Sequence, residues 1–427
     1  MRAAAPRAGT LTRIKPFEHG WRQHPETKRM TRPLLALLAA PLLASPLAAQ
    51  TVEPAARQIH DEMLVIDTHL DIAMRFDSGE WDFAERHWFE WDGSQVDLPR
   101  MIEGGLDGGF FVIYTAQGEL TPAAYAEART AALVRAAAIR RVIGENRDRM
   151  GLALTADDAE RLHREGKRIA FISIENSWPL GEDLSLLQTF HRLGVRMAGP
   201  VHSRNNQLAD STTDTPRWNG LSPLGRQWVA EMNRLGMLID GSHSSDAVFD
   251  QLIELSRVPI VLSHSGPRAI YDHRRNLDDQ RMRRLARAGG VMFMNTIFLA
   301  PDDRSPERSA IGDRQENWHN LTAPERRRLL ADKAALDAQR PFTTATFDLF
   351  MRSMLHAIAV MGVDHVGLGA DWDGGGGVRG MEDITFLPRI TERLRREGFS
   401  ERDIAKIMGG NLLRVLRQAQ AHAARRS

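Results

Sequence analysis

The chain has 427 residues, of which 42% are hydrophobic and 26% are charged, and its formal net charge is +1. This composition excludes a disordered chain, a fibre and a small disulfide-stabilised scaffold, and the near-zero charge favours no nucleic-acid partner. The sequence contains no cysteine, which excludes disulfides, a cysteine nucleophile and thiolate metal ligands. Any metal ion must therefore be bound by histidine, aspartate or glutamate.

The first 49 residues are predicted to be an N-terminal extension that contains a signal peptide. Arg29 and Arg32 precede an apolar run at residues 33–49, which is interrupted by prolines and ends in small residues. This pattern is typical of a cleaved secretory signal, with a retained anchor as the alternative. Cleavage changes the net charge to −5, because the segment contains eight basic and two acidic residues. For a secreted chain without cysteine we expect a periplasmic or secreted location without a stable membrane anchor.

Residues 50–427 are predicted to form one domain in which short strands alternate with helices. Continuous apolar runs of this kind are typical of parallel strands that are buried on both faces. The charged, strand-poor region 302–340 is predicted to be an insertion between strands seven and eight. The alternation predicts an α/β fold, a (β/α)8 TIM-like barrel, with an open doubly wound sheet as the alternative. The predicted strands are Leu64–Asp67, Gly109–Thr115, Ile169–Glu175, Arg196–His202, Met237–His243, Pro259–His264, Gly290–Thr296 and His365–Asp371.

Helices are predicted between several of these strands from their capping residues. A serine or threonine followed by proline is typical of the first turn of a helix, and glycine is typical of the end. The predicted helices run from Pro122 to about Ile143, from Pro223 to Gly236, over Asp246–Leu255, over Asp278–Ala288 and onward from Ser400.

Six of the eight predicted strands end in side chains that can bind a metal ion or transfer a proton. In a parallel barrel these ends share one rim, where the catalytic groups of barrel enzymes lie. Side chains about 300 positions apart in the sequence are therefore expected to meet. They are His69 and Asp71 after strand one, and then Glu175, His202, His243, His264 and Asp371.

The first of these groups combines a histidine, an aspartate and a glutamate. His69 and Asp71 are two residues apart, which places both on one face of an extended segment. Glu175 follows an apolar run, where an ionised carboxylate is costly unless it is paired or metal-bound. A carboxylate can bridge two cations, and none of the three lysines after residue 49 ends a strand to replace it. The alternatives are a loop-capping histidine and a salt bridge from Glu175 to an arginine.

His243 and His264 end two successive predicted strands, and each follows a serine. Neutral imidazole suits a borderline cation such as Zn²⁺. The repetition favours a metal site over the alternative, in which each is a core histidine that donates to a backbone carbonyl.

The remaining strand ends have two interpretations each. His202 is either a metal ligand or an electrophile at a substrate carbonyl. Asp371 is either a general base beside a metal-bound water or a group that orients a ligand histidine. That orienting, structural role is predicted for Asp67 and Asp373.

Together these motifs resemble the membrane (renal) dipeptidase family of metal-dependent barrel peptidases. The similar stretches occur in order from residue 65 to residue 415, which is nearly the whole chain after the signal peptide. They include VIDTHLD (65–71), ISIEN (172–176), PIVLSHSGPRAIYDHRRN (259–276), HVGLGADWDG (365–374) and GGNLLRV (409–415).

The resemblance implies two Zn²⁺ ions per chain and assigns their ligands. His69, Asp71 and Glu175 are implied to bind one ion. Glu175, His243 and His264 are implied to bind the other, so that Glu175 bridges the pair.

The resemblance also implies the reaction, which is hydrolysis of the peptide bond of dipeptides, including those with a C-terminal D-residue, by a metal-bridging hydroxide. His202 is implied to contact the substrate, Arg275 or its neighbour Arg274 to bind the dipeptide carboxylate, and Asp371 to transfer the proton. The implied partners are a small dipeptide and, for assembly, a second copy in a homodimer, with no nucleic acid.

The chain departs from animal members of the family near the expected substrate pocket. Met292–Phe298 contains no tyrosine where those members place an aromatic substrate contact, and the region 302–340 is additional. The departures motivate an alternative, in which the chain is a metal-dependent amidohydrolase that acts on N-acyl amino acids or other small amides. A third hypothesis is a binding protein that retains an inactive barrel.

Overall fold

The computed structural model describes residues 52–425 except 78–80, 304, 317–320 and 342. The predicted N-terminal extension and signal peptide, residues 1–49, lie outside the described residues. No helix within the described part of the chain is long and apolar enough to cross a membrane.

The described residues contain nine strands, and every strand pair is parallel. Apart from two residues of β3 and the first residue of β4 the strands are buried, which agrees with the apolar runs that predicted eight of them. The strands are β1 (Ile66–Leu70), β2 (Gly108–Ile113), β3 (Met150–Leu152), β4 (Arg168–Ile174), β5 (Val195–Ala198), β6 (Leu238–Ile239), β7 (Val261–Ser265), β8 (Val291–Met294) and β9 (Val366–Leu368).

The strands form a curled, barrel-like arrangement of two parallel sheets. One sheet has the order β1-β2-β4-β5-β6, with β3 also paired to β4, and the other has the order β7-β8-β9. Parallel bridges between Asp240 and Val261 and between Leu70 and Trp372 connect the two sheets at both edges. The order follows the chain without the reversal that a doubly wound open sheet requires. The carboxyl ends of these strands therefore face one common region.

The helices lie between the strands, as expected for an α/β fold. The described helices are α1 (Pro54–Glu62), α2 (Phe89–Asp92), α3 (Leu98–Glu103), α4 (Pro122–Glu145), α5 (Ala156–Arg164), α6 (Leu186–Arg192), α7 (Pro223–Leu235), α8 (Asp246–Leu255), α9 (Asp279–Arg287), α10 (Pro306–Glu316), α11 (Ala323–Gln339), α12 (Phe347–Met361), α13 (Pro388–Arg396), α14 (Glu401–Ala405) and α15 (Asn411–Ala424).

The predicted capping residues begin and end their helices. Thr121 accepts a backbone hydrogen bond at the start of α4, and Ser222 and Ser400 do so for α7 and α14. Gly236 ends α7 at a φ of 68°, a left-handed conformation that favours glycine. The charged region 302–340 lies between β8 and β9 and contains α10 and α11.

The prediction that strands end at His202, His243 and Asp371 is wrong. The strands β5, β6 and β9 end three or four residues earlier, so these three side chains lie in the loops that follow. Pro200 cannot donate to a strand ladder. The Asp240 carboxylate accepts a backbone N–H two residues further on, which turns the chain after β6. His243 and Asp371 have φ values of 65° and 67°, which a strand does not permit.

An apolar layer fills the inside of the sheet below these loops. It contains buried residues from β1, β2 and β4–β8 and is covered by residues of α15. Glu175 directly follows β4. Its side chain points to the same face as those of Phe171 and Ser173, because side chains alternate along an extended chain. Glu175 therefore lies above the apolar layer, on the side where the loops meet. The layer includes Ile66, Phe110, Phe171, Met197, Leu238, Val261 and Phe293.

Candidate metal centre

Four histidines surround one carboxylate oxygen at the carboxyl end of the sheet. The Oε1 atom of Glu175 lies 3.1 Å from His243 Nε2, 3.5 Å from His202 Nε2, 3.6 Å from His264 Nε2 and 3.7 Å from His69 Nε2. The Nε2 atoms of His243 and His264 are only 2.8 Å apart. The structure thus brings together the strand-end residues whose convergence the sequence predicts.

Two aspartates complete one side of this centre. Asp71 Oδ2 lies 3.3 Å from His69 Nε2, and the ligand atoms of His69, Asp71 and Asp371 all lie within 4.8 Å of one another. The backbone N–H of Asp71 donates to Trp372 O at 2.8 Å, which joins the segment after β1 to the loop after β9. A Cβ atom at Gly374 would overlap an oxygen of Asp71 and an oxygen of Asp371. Only glycine therefore fits beside this carboxylate pair.

The unsatisfied polar atoms of the centre fit a bound cation. His69, Asp71, Glu175, His243 and His264 are all at least nine-tenths buried. Within the described structure, both ring nitrogens of His69, Asp71 Oδ1 and His243 Nδ1 have no hydrogen-bond partner. Buried polar atoms are costly unless they are bonded. Divalent cations bound by nitrogen and oxygen would satisfy them.

The pKa values follow from burial among these groups. Burial raises the pKa of Glu175 well above its usual range and raises the pKa of Asp371 to about 7. Burial, reinforced by the nearby Arg275, lowers the pKa of His243 well below its usual value and lowers the pKa of His202 to about 3. These shifts disfavour protonated imidazoles, so His243 and His202 are neutral, the state in which histidine binds a metal ion.

His69 differs from the other histidines. Its burial lowers the pKa, but the Asp71 and Glu175 carboxylates outweigh burial and raise the pKa of His69 to about 10. In the protein without ions a proton on this ring therefore offsets part of the negative charge of the carboxylates. A divalent cation at the same place would provide that charge instead.

The structure distinguishes the two neighbouring arginines. Arg275 is buried, its Nε has no hydrogen-bond partner among the described residues, and its guanidinium lies 5.4 Å from the ring centroid of Phe298. Burial lowers the pKa of Arg275 to about 10, against the opposing effect of Asp371 and Glu175. Arg274 is exposed. Arg275 is therefore a buried cation beside the carboxylate-rich centre.

The structural aspartates act through the backbone rather than through an imidazole. Asp67 accepts the backbone N–H groups of His69 at 2.8 Å and Ala370 at 2.9 Å, which fixes β1 against the chain before Asp371. Asp373 accepts the backbone N–H groups of residues 95 and 96 at 3.1 Å each. Asp67 therefore acts on His69 only through the backbone that carries it, whereas the hydrogen bonds of Asp373 hold residues 95 and 96, which carry no ligand histidine.

The sequence interpretation missed Asp240 and Ser263. Ser263 Oγ lies 2.8 Å from His264 Nδ1 and donates a hydrogen bond to Asp240 Oδ2. The signal that could have found them is the serine before each of His243 and His264, together with an aspartate after an apolar run.

A parallel, barrel-like α/β sheet with histidines and carboxylates around its carboxyl end is the arrangement expected of a metal-dependent barrel enzyme. The family described as "Membrane dipeptidase (Peptidase family M19)" matches residues 53–427. The chain belongs to this family, and it is accordingly an enzyme of the metallo-dipeptidase type. Family membership implies a metal cofactor, and the histidine and carboxylate clusters described above are able to bind one.

Individual relatives agree with the family assignment. The chain is 31% identical to "Dipeptidase tcpJ" of Claviceps purpurea over 335 residues, which covers 77% of this chain and 70% of that protein. The crystal structure of the "probable dipeptidase PvdM" from Pseudomonas aeruginosa is similar at 30% identity and a TM-score of 0.74, covering 86% of this chain and 98% of that one.

A further solved structure carries a ligand. It is a metallopeptidase from Rhodobacter sphaeroides liganded with a phosphinate mimic of the dipeptide L-Ala-D-Ala. It is similar to this chain at 26% identity and a TM-score of 0.66, covering 84% of this chain and 99% of that one.

Proposed function

We propose that the chain is a dinuclear zinc dipeptidase that hydrolyses dipeptides, including those with a C-terminal D-residue, in the periplasm or outside the cell. The position of Glu175 Oε1 within 3.7 Å of four imidazole nitrogens is the observation that carries the proposal. The proposal includes a complete (β/α)8 barrel in which residues 302–340 are an insertion. The mimic of L-Ala-D-Ala bound to the Rhodobacter sphaeroides relative supports the substrate class.

The proposed ligands divide into two sets that share Glu175. His69 and Asp71 would form one set with Glu175, since Asp71 Oδ2 lies 3.3 Å and Glu175 Oε1 3.7 Å from His69 Nε2, and His243 and His264 would form the other, since their Nε2 atoms lie 3.1 Å and 3.6 Å from Glu175 Oε1. Nitrogen and oxygen ligands, together with the lowered pKa values of His243 and His264, support zinc. When bound, the two ions supply Lewis-acid polarisation of the scissile carbonyl and lower the pKa of a water to about 7.

His202 is proposed to stabilise the oxyanion that develops at the scissile carbonyl. Its side chain is 22% exposed, the most open of the four histidines, and lies 3.5 Å from Glu175. Ser203 Oγ is 3.0 Å from His202 Nδ1. If Ser203 donates this bond, His202 Nε2 carries the ring proton and faces the centre as a hydrogen-bond donor. Such a donor typically contributes about 3 kcal/mol to transition-state stabilisation.

Asp371 is proposed to accept the proton of the attacking water and return it to the leaving amine. We expect Asp371→Asn to lower kcat by about 10²- to 10⁴-fold, the usual contribution of a general acid–base group, while both ions remain bound. Steady-state kinetics with metal analysis measures both effects, and Asp348→Asn at an exposed position is the matched control. Loss of the ions together with activity would instead make Asp371 a ligand.

Arg275 is proposed to bind the C-terminal carboxylate of the dipeptide, because a guanidinium matches a carboxylate in geometry and charge. We expect Arg275→Lys to raise KM by about 10- to 100-fold, equivalent to about 1.5–3 kcal/mol for a charged hydrogen bond. Arg274→Lys changes the exposed neighbour in the same way and should leave KM unchanged. The opposite result in initial-rate measurements would assign the carboxylate to Arg274.

A small substrate panel tests the reaction itself. We expect the zinc-loaded enzyme to hydrolyse L-Ala-D-Ala and L-Ala-L-Ala and to leave N-acetyl-alanine intact, as measured by amine release. Hydrolysis of the acetyl compound alone would favour the amidohydrolase alternative. Tight binding of the dipeptides without turnover would favour the inactive binding protein.

A further inference from the structure

The three histidines in the proposed ligand sets differ in what their Nδ1 atoms contact. Among the described residues, the Nδ1 atoms of His69 and His243 have no hydrogen-bond partner. His264 Nδ1 lies 2.8 Å from Ser263 Oγ. His264 is also completely buried, so among the described residues the Ser263 hydroxyl is the group that can determine whether Nδ1 carries the ring proton.

The serine is in turn bound to a buried carboxylate. Asp240 is 3% exposed and lies directly after β6. Its Oδ1 accepts the backbone N–H groups of Ser242 and Ser263, each at 2.9 Å, and its Oδ2 accepts the hydroxyl of Ser263. Asp240 therefore accepts three hydrogen bonds, two from backbone N–H groups and one from a hydroxyl.

The donor and acceptor roles along this chain are determined by chemistry. Ser263 Oγ donates to Asp240 Oδ2, so the hydroxyl hydrogen of Ser263 points to Asp240 and away from His264. Ser263 Oγ is then left as an acceptor, and His264 Nδ1 must carry the proton that it receives. The Nε2 atom of His264 consequently bears a lone pair, and it faces Glu175 at 3.6 Å and His243 at 2.8 Å.

We infer that Asp240 and Ser263 are positioning residues that hold His264 in the tautomer a metal ligand requires. The inference rests on the proposed metal site, in which His264 would bind the cation through a lone pair at Nε2. Neither residue touches the substrate or the ions in this account, and both act only through the ring of His264.

The surrounding backbone keeps these residues in register. Asp240 forms the parallel bridge with Val261 that connects the two sheets, and Thr68 Oγ1 donates to Ser263 O at 2.6 Å. A Cβ atom at Gly369 would overlap the same carbonyl oxygen of Ser263. Contacts from β1 and from the chain after β9 therefore hold the backbone of β7 that carries the Ser263 side chain.

Two substitutions separate the tautomer from simple loss of a contact. Ser263→Ala removes the acceptor and leaves the ring proton of His264 unbiased. Asp240→Asn keeps the shape but places an amide N–H against Ser263, so the serine hydroxyl is free to donate to His264 Nδ1. The proton then moves to Nε2, where it opposes a cation. Asp240→Asn should therefore weaken zinc binding more than Ser263→Ala does. It favours the tautomer with a proton on Nε2, whereas Ser263→Ala favours neither tautomer.

The test uses the full chain labelled with ¹⁵N-histidine. In the metal-free protein, ¹⁵N shifts should show protonated Nδ1 at His264 in the wild type and protonated Nε2 in Asp240→Asn, with His264→Gln used for assignment. Competitive zinc titration should show the affinity for the ion that His264 binds lowered about 10-fold by Ser263→Ala and about 100-fold by Asp240→Asn. Ser353→Ala removes a buried hydroxyl of α12 that has no hydrogen-bond partner among the described residues, and it should change neither measurement.

The outcomes keep the two proposals apart. Wild-type protein that binds no zinc would overturn the proposed function. The ¹⁵N shifts would still report whether His264 Nδ1 is protonated, as the hydrogen bonds through Ser263 to Asp240 require. Normal zinc binding with an unprotonated Nδ1 at His264, or with unchanged affinity in both variants, would overturn the positioning role alone. If circular dichroism shows that Asp240→Asn does not fold, the ¹⁵N shifts and zinc affinity of Ser263→Ala still decide whether the positioning role holds.

Discussion

Glu175→Gln is expected to remove both metal ions and to lower kcat/KM by at least about 10³-fold, equivalent to about 4 kcal/mol of lost transition-state stabilisation. Glu175 is the carboxylate whose oxygen lies within 3.7 Å of all four histidines. Glutamine keeps the size of the side chain but loses the charge, and its amide N–H group cannot bind a cation. Metal content per chain and initial rates on L-Ala-D-Ala measure the two effects.

The matched control for this change is Glu182→Gln, because Glu182 is an exposed glutamate outside the centre. It should retain both ions and full activity. A Glu175→Gln protein with two ions and normal turnover would show that Glu175 bridges nothing, and the dinuclear arrangement would have to be abandoned.

His243→Ala is expected to lose one ion of the two and nearly all activity while the protein remains folded. His243 belongs to only one ligand set, in which its Nε2 lies 3.1 Å from Glu175 and 2.8 Å from His264. The set of His69, Asp71 and Glu175 stays intact, so one ion should remain. Atomic absorption, turnover and circular dichroism on the same preparation measure these three properties.

A histidine outside the centre provides the comparison for this second change. His356 pairs with Asp279 at 2.8 Å between α12 and α9, so His356→Ala removes an equivalent ring without touching the centre. Full activity in His243→Ala would contradict the two-ion mechanism, and loss of both ions would show that the sets are not independent.

The sequence predicted the location of the centre because of two regularities. Parallel strands place their carboxyl ends together, and apolar runs followed by a polar residue indicate where each strand stops. For Glu175 this was sufficient, since the alternation along β4 carries the same face from Phe171 to Glu175. For His202 and His243 the apolar runs did not predict which way the side chains point, because both residues lie in the turns after β5 and β6.

Those turns depend on contacts between residues that are distant in sequence. Asp240 and Ser263 are 23 positions apart, and their hydrogen bond exists only because β6 and β7 meet at the junction of the two sheets. The choice between Arg274 and Arg275 was likewise open in the sequence, because two adjacent arginines have the same chemistry. Burial of Arg275 is a tertiary property that no local pattern encodes.

The short strand β3 was also not predicted. Its three residues, Met150–Leu152, pair only with the first half of β4, where Gly151 lies opposite Ile169. Three residues show too little periodicity to indicate a strand, and the partner rather than the sequence determines the conformation.

Anomalous diffraction at the zinc absorption edge from crystals of the zinc-loaded protein tests the central claim most directly. We predict two peaks about 3.5 Å apart, one contacting His69, Asp71 and Glu175 and the other contacting Glu175, His243 and His264. A single peak that excludes Glu175, or no peak among these side chains in an active preparation, would contradict the account.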